Sequence, residues 1–137
     1  MENKVMVRIL IISIILLCIS PIVLISQNDN NLFRVERLVT ATGIEEREPV
    51  GLKSAFSADI ERVYCFLEAR DIKRDTEVTF VWYAGDTKLS EVTLGLGEGT
   101  RWRTFTYKTI GNAVGEWRIE LLDETGNLID EVKFTTE

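Results

Sequence analysis

Carboxylates are the most numerous residues in this sequence that could do chemistry, and nine of the 22 occur in three groups. The groups are Glu45, Glu46 and Glu48; Asp71 and Asp75; and Asp123, Glu124, Asp130 and Glu131. Calcium takes about six to eight oxygen ligands, so such groups could in principle bind it. None follows the ordered D-x-D-x-D-G spacing of a calcium loop. We therefore interpret them as solvated charge at turns and strand faces, and predict no metal site.

The residue types on which enzymes most depend are scarce here. There is no histidine, which removes the commonest general base and the commonest metal ligand. Of the two cysteines, Cys18 and Cys65, the second lies between Tyr64 and Phe66 and is expected to be a small buried core residue. The stretch GLGEG precedes a strand rather than a helix, so it is not a phosphate-binding loop. We expect no catalytic residue and no cofactor.

Aromatic residues could bind a ligand without catalysis. On one exposed sheet face they would stack against sugar rings, whereas in the interior they would form the core. We expect Trp82 and Trp117 to be core residues. Trp102 follows a glycine-rich stretch and lies between two arginines, where a position at the rim is plausible.

The candidate binding site is this glycine-rich stretch together with the start of the strand after it. Residues 95–99 hold three glycines and are predicted to form a flexible loop, and loops on a rigid sandwich commonly bind ligands. Trp and Arg are also the residues most enriched at binding hot spots. The candidate contact residues are Gly97, Gly99, Arg101, Trp102 and Arg103.

Alternating apolar and polar residues predict the strands that would position these side chains. Trp117, Ile119 and Leu121 alternate with Arg118 and Glu120, which places three apolar side chains on one strand face. A hairpin turn is predicted at residues 123–127, and a loop at residues 42–59. The other predicted strands are residues 32–41, 60–69, 76–84, 87–94, the segment from 101 and residues 128–134. Such spacing is typical of an all-β fold, an immunoglobulin-like antiparallel β-sandwich of about seven strands.

An apolar segment precedes this predicted domain. With residues 5–7 included, the run ending at residue 25 is long enough to form one transmembrane helix of about 31 Å. Lys4 and Arg8 flank its N-terminal end, which predicts a cytoplasmic N-terminus. The sites after Ser20 and Ser26 are poor for signal peptidase, so a retained anchor is favoured over a cleaved signal peptide.

These features predict a single-pass protein of the cell membrane. Residues 1–26 would form a cytoplasmic tip and transmembrane anchor, with residues 5–25 in the membrane. Residues 27–31 would be a linker, and residues 32–137 an extracytoplasmic domain.

A set of short motifs in the predicted domain carries a family resemblance. They are Arg47-Glu48-Pro49-Val50, Val63-Tyr64-Cys65-Phe66, Val78 with Trp82-Tyr83, Trp102-Arg103-Thr104, Gly115 with Trp117, Gly126 with Leu128, and Phe134. In this order they resemble a bacterial and archaeal family known as domain of unknown function 2914, usually found beyond a membrane segment. The resemblance implies a β domain, and it implies no particular activity because none is known for the family. The family is expected to have His where this chain has Phe80, so any metal or acid–base role there is absent.

These observations together predict a membrane-anchored extracytoplasmic binding module rather than an enzyme. Its partner would be an envelope or membrane protein, or a second copy of the chain. A carbohydrate- or cell-wall-binding module with exposed aromatic residues is the alternative. A formal net charge of −6 argues against nucleic acid, because phosphate binding needs a basic surface.

Overall fold

A computed structural model describes residues 31–137, which form nine strands arranged in two sheets. The strands are β1 (Arg34–Glu45), β2 (Glu48–Leu52), β3 (Ala55–Phe56), β4 (Arg62–Ile72), β5 (Thr76–Ala84), β6 (Thr87–Leu96), β7 (Gly99–Thr109), β8 (Gly115–Leu122) and β9 (Leu128–Thr136). The predicted anchor at residues 1–26, its membrane segment 5–25 and nearly all of the linker at residues 27–31 lie outside the described residues. Within residues 31–137, no helix is long and apolar enough to cross a membrane.

The sheets pack face to face as a sandwich. One has four strands in the order β2-β1-β4-β7, and the other has five in the order β3-β9-β8-β5-β6. Every pairing is antiparallel except that of β3 with β9, which is parallel. The predicted all-β sandwich is therefore confirmed, with nine strands in the described residues instead of about seven.

The predicted loop at residues 42–59 is wrong, because most of it is strand. β1 continues to Glu45 and returns as β2 through a tight turn, and β3 then pairs with the other sheet. Glu46 and Arg47 take φ values of 49° and 65°, as a two-residue hairpin turn with positive φ at both positions requires. Neither residue is a glycine or an asparagine, so the sequence lacked the usual signal for this turn.

The core forms where the alternating apolar side chains of the two sheets meet. Cys65 and Leu67 of β4 and Phe80 of β5 are fully buried there. Trp117 stacks on Phe134 with ring centroids 5.5 Å apart. Trp82 is also fully buried. The core positions predicted for Cys65, Trp82 and Trp117 are confirmed.

Each buried indole N–H has a hydrogen-bond acceptor in the described residues. Trp82 Nε1 donates to Thr106 Oγ1 at 3.1 Å, and Trp117 Nε1 donates to Thr136 Oγ1 at 3.0 Å. A buried polar group without a partner is costly, so these two threonines make the tryptophan positions favourable.

The predicted flexible loop at residues 95–99 is also wrong. Gly95 and Leu96 end β6 and Gly99 begins β7, so only Gly97 and Glu98 lie between the strands. This short link carries the chain from one sheet to the other. Asp75 Oδ1 accepts a hydrogen bond from the Glu98 N–H at 2.8 Å, and the Leu96 side chain is buried. These two contacts hold the crossover in place.

Candidate functional site

Among residues 31–137, β7 is a sheet edge whose outward backbone groups have no partner strand. It pairs with β4 on one side, from Arg62 opposite Thr109 to Ile72 opposite Gly99. Next along the chain, the Ile110 N–H donates to the Glu61 carbonyl at 3.1 Å. In an antiparallel ladder the backbone groups of successive residues alternate between the two sides. The even-numbered residues of β7 therefore direct their backbone N–H and C=O groups toward β4. The odd-numbered residues direct their N–H and C=O groups to the other side, where no strand within residues 31–137 pairs.

The side chains of β7 divide between the two faces of the four-stranded sheet. Thr106 contacts the core through Trp82, so the even-numbered side chains lie on the inner face and the odd-numbered ones on the outer face. The five predicted contact residues are thus not one surface. Arg101 and Arg103 lie on the outer face, whereas Trp102 lies on the inner side at the rim.

The two predicted glycines differ in their surroundings. A Cβ atom at Gly97 would lie 2.5 Å from Trp102 Cζ3, whereas a Cβ at Gly99 would meet nothing within 4 Å. Gly97 is therefore needed for close contact with the Trp102 ring, which covers the crossover. Gly99 has φ of 151°, a backbone conformation that favours glycine.

Three large apolar side chains are exposed along β7. Trp102 is 41% exposed, Phe105 42% and Tyr107 49%. On the outer face, the ring of Tyr64 is tilted by 52° to that of Phe105 and by 48° to that of Tyr107. The Arg62 guanidinium also lies 4.5 Å from the Tyr107 ring centroid. The rings of Tyr64, Phe105 and Tyr107 therefore form an uneven apolar surface rather than a flat one.

The β1–β2 hairpin folds back over this outer face. Glu48 is paired with Glu45, and in an extended strand Glu45 would lie about 26 Å from Arg37. Nevertheless, Glu48 Oε2 is only 2.9 Å from Arg37 Nη2. The hairpin must therefore bend sharply beyond the residues that pair with β4. Phe66, an outer-face residue of β4, is consequently only 1% exposed.

The tip of the hairpin is held by a cluster of two carboxylates and four arginines, which we call the arginine cluster. Glu48 Oε1 accepts hydrogen bonds from Arg37 at 3.1 Å, Arg101 at 3.1 Å and Arg103 at 2.6 Å. Beneath it, Glu68 is bonded to Arg37 at 2.7 Å and to Arg70 at 2.9 Å. Arg37 therefore joins the two carboxylates.

Both carboxylates of the cluster are held in the charged form. Hydrogen bonds from Arg103 and Arg37 lower the pKa of Glu48. Burial alone would raise the pKa of Glu68, but the hydrogen bond from Arg37 and the charges of Arg37, Arg101 and Arg70 outweigh it, and the pKa is lowered. The arginine cluster is thus a set of fixed charges at neutral pH.

A groove of about 270 Å³ opens between the hairpin and β7. Ile44, Phe66 and Phe105 supply apolar walls, and Arg47 and Arg103 supply positive charge. Its chemistry suits an apolar side chain beside a negative one.

A larger open cleft of about 880 Å³ lies at the other side of the sandwich, beside the residue where the described chain begins. Phe33, which precedes β1, and Val35 of β1 line it together with Leu128 and Ile129 of β9. An ion pair between Arg74 and Glu124 crosses it.

Asp123, one of the acidic residues noted in the sequence, has a structural role in the turn between β8 and β9. Asp123 Oδ1 accepts the N–H groups of Thr125 and Asn127, each at 2.9 Å, and so closes the β8–β9 turn. Burial is the largest influence and raises the pKa of Asp123, but hydrogen bonds from the Thr125 hydroxyl and from these two N–H groups outweigh it, and the pKa is lowered. Within residues 31–137, no three His, Cys, Asp or Glu side chains are arranged to hold a metal.

The sequence did not predict Glu48 and Glu68, the two carboxylates that bind the arginines of the outer face. Glu68 occupies an outward position of β4, and its burial depends on three arginines that come from three different strands, Arg37, Arg70 and Arg101. Glu48 belonged to a charged run interpreted as solvated. The one available signal was the pattern of arginines at alternate positions, 101 and 103, which places both on one face.

Comparison with known proteins adds family and fold. Residues 75–136 match the family model described as "Protein of unknown function (DUF2914)", and the resemblance predicted from the motifs is confirmed over that range. No curated protein matches the sequence. An immunoglobulin-like protein from Pseudomonas aeruginosa is similar in structure, with a TM-score of 0.50 and 12% sequence identity, over 77% of this chain and 96% of that one. This likeness shows the immunoglobulin-like fold.

Proposed function

We propose, from the premise that residues 75–136 match the DUF2914 family within an immunoglobulin-like sandwich, that this chain is a membrane-anchored protein-binding module. The N-terminal apolar segment would hold it in the membrane, with the sandwich outside the cytoplasm. The binding surface is the free edge of β7. The proposal includes no catalytic step, since the described residues offer charged pairs and aromatic contacts but no histidine base and no activated nucleophile.

One observation carries this proposal: among the four sheet edges of residues 31–137, β7 alone is long, free of proline and paired in unbroken register. β2 has five residues and contains Pro49, and β3 has two residues. The ladder between β5 and β6 has a register shift at Trp82/Tyr83. β7 has eleven residues in unbroken register with β4. Short strands, prolines and bulges are among the usual protections of exposed edges.

An extended segment of a partner protein fits this edge. Strand addition uses the free backbone N–H and C=O groups for affinity and alternate side chains for specificity. The odd-numbered residues of β7 supply the backbone groups, and Trp102, Phe105 and Tyr107 supply exposed apolar surface. A partner among envelope or membrane proteins would lie close to an anchored domain.

Carbohydrate or cell-wall binding is the second candidate, because the exposed rings of Phe105 and Tyr107 lie on the same face of β7. Sugar rings stack on flat aromatic surfaces. Here the rings of Phe105 and Tyr107 are each tilted by about 50° to the ring of Tyr64, and Arg62 covers one face of Tyr107. The geometry therefore favours a protein partner.

A pair of variants at one position tests strand addition. Phe105→Ala removes the aromatic ring, and Phe105→Pro removes the same ring together with an N–H that faces the free edge. Because proline is tolerated where the lost donor faces outward at a sheet edge, both variants should fold. The full-length chain would be tagged in its native membrane and cross-linked to its neighbours.

We expect a cross-linked partner to be reduced by Phe105→Ala and lost with Phe105→Pro. Hydrogen exchange should show the amides of residues 103, 105 and 107 protected only in the complex. Equal capture by both variants would contradict strand addition. Loss of a bound cell-wall glycan, with unchanged protein capture, would favour the carbohydrate candidate.

A further inference from the structure

The arginine cluster carries more positive charge than its carboxylates neutralise. Four guanidinium groups, those of Arg37, Arg70, Arg101 and Arg103, surround two carboxylates. The excess positive charge lies on a chain whose net charge is −6. This outer-face patch therefore has the opposite sign to the molecule as a whole, and would attract an anionic group.

The two carboxylates of the cluster differ in how firmly they are held. The Glu68 side chain is 3% exposed, and its arginine partners lie over it, whereas the Glu48 side chain is 40% exposed. Ion pairs in contact with water contribute little to stability. Glu48 also sits at the tip of a hairpin, which is joined to the rest of the sheet through one strand, β1. Glu48 is thus the exchangeable member of the cluster.

Arg101 and Arg103 are both part of this cluster and part of the free edge. Their odd-numbered positions direct the backbone groups to the open side and the side chains to the outer face. In a strand added there, the residues opposite Arg101 and Arg103 would have Cβ atoms about 5 Å from theirs on the same face. Carboxylates at those two positions would reach the guanidinium groups that now bind Glu48.

We propose that Glu48 is the built-in occupant of a carboxylate-binding site, and that acidic side chains of the segment added to β7 displace it from Arg101 and Arg103. This inference rests on the proposed function, because the carboxylates arrive on a strand at the β7 edge. Arg37 also donates to Glu48, so after displacement from Arg101 and Arg103 the hairpin tip is held through Arg37. The partner is thereby defined chemically as an acidic, amphipathic extended segment.

The register gives the pattern of that segment. On the outer face, β7 presents Arg101 and Arg103 and then Phe105 and Tyr107. An antiparallel partner strand would present, from its N-terminus, two apolar residues at alternate positions and then two acidic residues at alternate positions. The apolar residue opposite Phe105 would lie at the mouth of the groove formed by Ile44, Phe66 and Phe105.

The test uses the full-length chain in non-ionic detergent and three blocked synthetic peptides of about nine residues, enough to cover most of the strand. The first alternates threonine with two valines and then two glutamates. The second has glutamine in place of glutamate, and the third has lysine. Titration calorimetry at low and physiological salt measures each dissociation constant.

Two charge-matched variants separate local displacement from general electrostatics. Glu48→Gln removes the competing negative charge from the site, while Glu36→Gln makes the same change of net charge at an exposed acid that is paired with Arg34 instead. We expect Glu48→Gln to bind the glutamate peptide about fivefold more tightly, as loss of one competing exposed ion pair implies. Glu36→Gln should stay within about twofold of wild type. Arg103→Gln should weaken binding of the glutamate peptide about tenfold and reduce its salt dependence.

Three other outcomes would each contradict one part of the proposal. If the glutamine peptide binds as tightly as the glutamate peptide, acidic recognition is overturned while strand addition stands. If Glu48→Gln and Glu36→Gln behave alike, Glu48 is not a competing occupant. If no peptide binds to wild type or to Glu48→Gln, both this inference and the β7 edge as a docking site are rejected.

Discussion

Glu48 Oε1 and Arg103 Nη1 lie 2.6 Å apart, although two strands separate β2 from β7 in the sheet. In a flat sheet this separation would be about 14 Å. The contact exists because the β1–β2 hairpin bends over the outer face and brings its tip above β7. A part of the chain that resembles a surface loop in sequence thereby becomes the cover of the candidate site.

The first prediction is that acid weakens the domain. The pKa values of Glu48 and Glu68 are lowered from their ordinary value of 4.5. Groups with lowered folded-state pKa stabilise the fold fully above the unfolded value and lose that contribution as pH falls through the folded value. The free energy of unfolding should therefore decrease below about pH 4.5. Urea unfolding across the range from neutral pH to about pH 3 measures this.

The Glu48→Gln variant is the matched comparison for this pH dependence. It should show a shallower decrease, because one of the titrating carboxylates is gone. Some dependence must persist, since Asp123 and Glu124 also have lowered pKa values. A variant with the full wild-type decrease would show that the Glu48 contacts do not exist in solution.

The second prediction concerns the core. Trp117→Ala removes a buried ring that stacks on Phe134, and should cost about 3–5 kcal/mol. Because small domains have only about 5–15 kcal/mol of stability, this variant should be largely unfolded or close to it. Denaturant melts measure the effect, and Trp102→Ala is the control.

Trp102→Ala should leave the folded fraction nearly intact, because the ring is 41% exposed. The same variant should lose partner capture if the ring borders the binding edge. A Trp102→Ala protein that unfolds, or that captures the partner as well as wild type does, would exclude Trp102 from the binding surface.

The third prediction concerns the contact between Gly97 and Trp102. Gly97→Ala would place a methyl group 2.5 Å from Trp102 Cζ3, so the ring must move. Overpacking of this kind typically costs about 1–3 kcal/mol. Gly95→Ala is the matched control, since a Cβ there meets nothing within 4 Å.

A double variant makes this third prediction specific. Gly97→Ala should be rescued by Trp102→Ala, because the clashing ring is then absent. A melt in which Gly97→Ala costs the same with or without the Trp102 ring would show that the two residues do not pack together.

The fourth prediction concerns topology. Lys4 and Arg8 before the apolar segment favour a cytoplasmic N-terminus, so protease added to intact spheroplasts should degrade the domain. Protection of the domain would refute this orientation. N-terminal sequencing of the mature protein tests the retained anchor, which a start near Gln27 would exclude.

The sequence by itself determined the elements whose information is local. Trp117, Ile119 and Leu121 lie on one buried face because alternation over a few residues is enough to specify which side of a strand faces the core. The β5 bounds, the β8–β9 turn around Asp123 and the burial of Cys65 followed from the same local patterns. The lack of histidine, which is a property of composition alone, excluded the commonest form of acid–base chemistry.

Only the tertiary structure decided the candidate site. Glu48 and Arg103 are 55 residues apart in the chain, and their contact depends on a bend in β1, on a two-residue turn without glycine, and on β7 lying at a sheet edge. The same register placed Arg101 and Arg103 on the outer face and Trp102 on the other, although the three are adjacent in sequence. Strand order and hairpin direction arise from the packing of all the strands at once, which is why no local pattern could supply them.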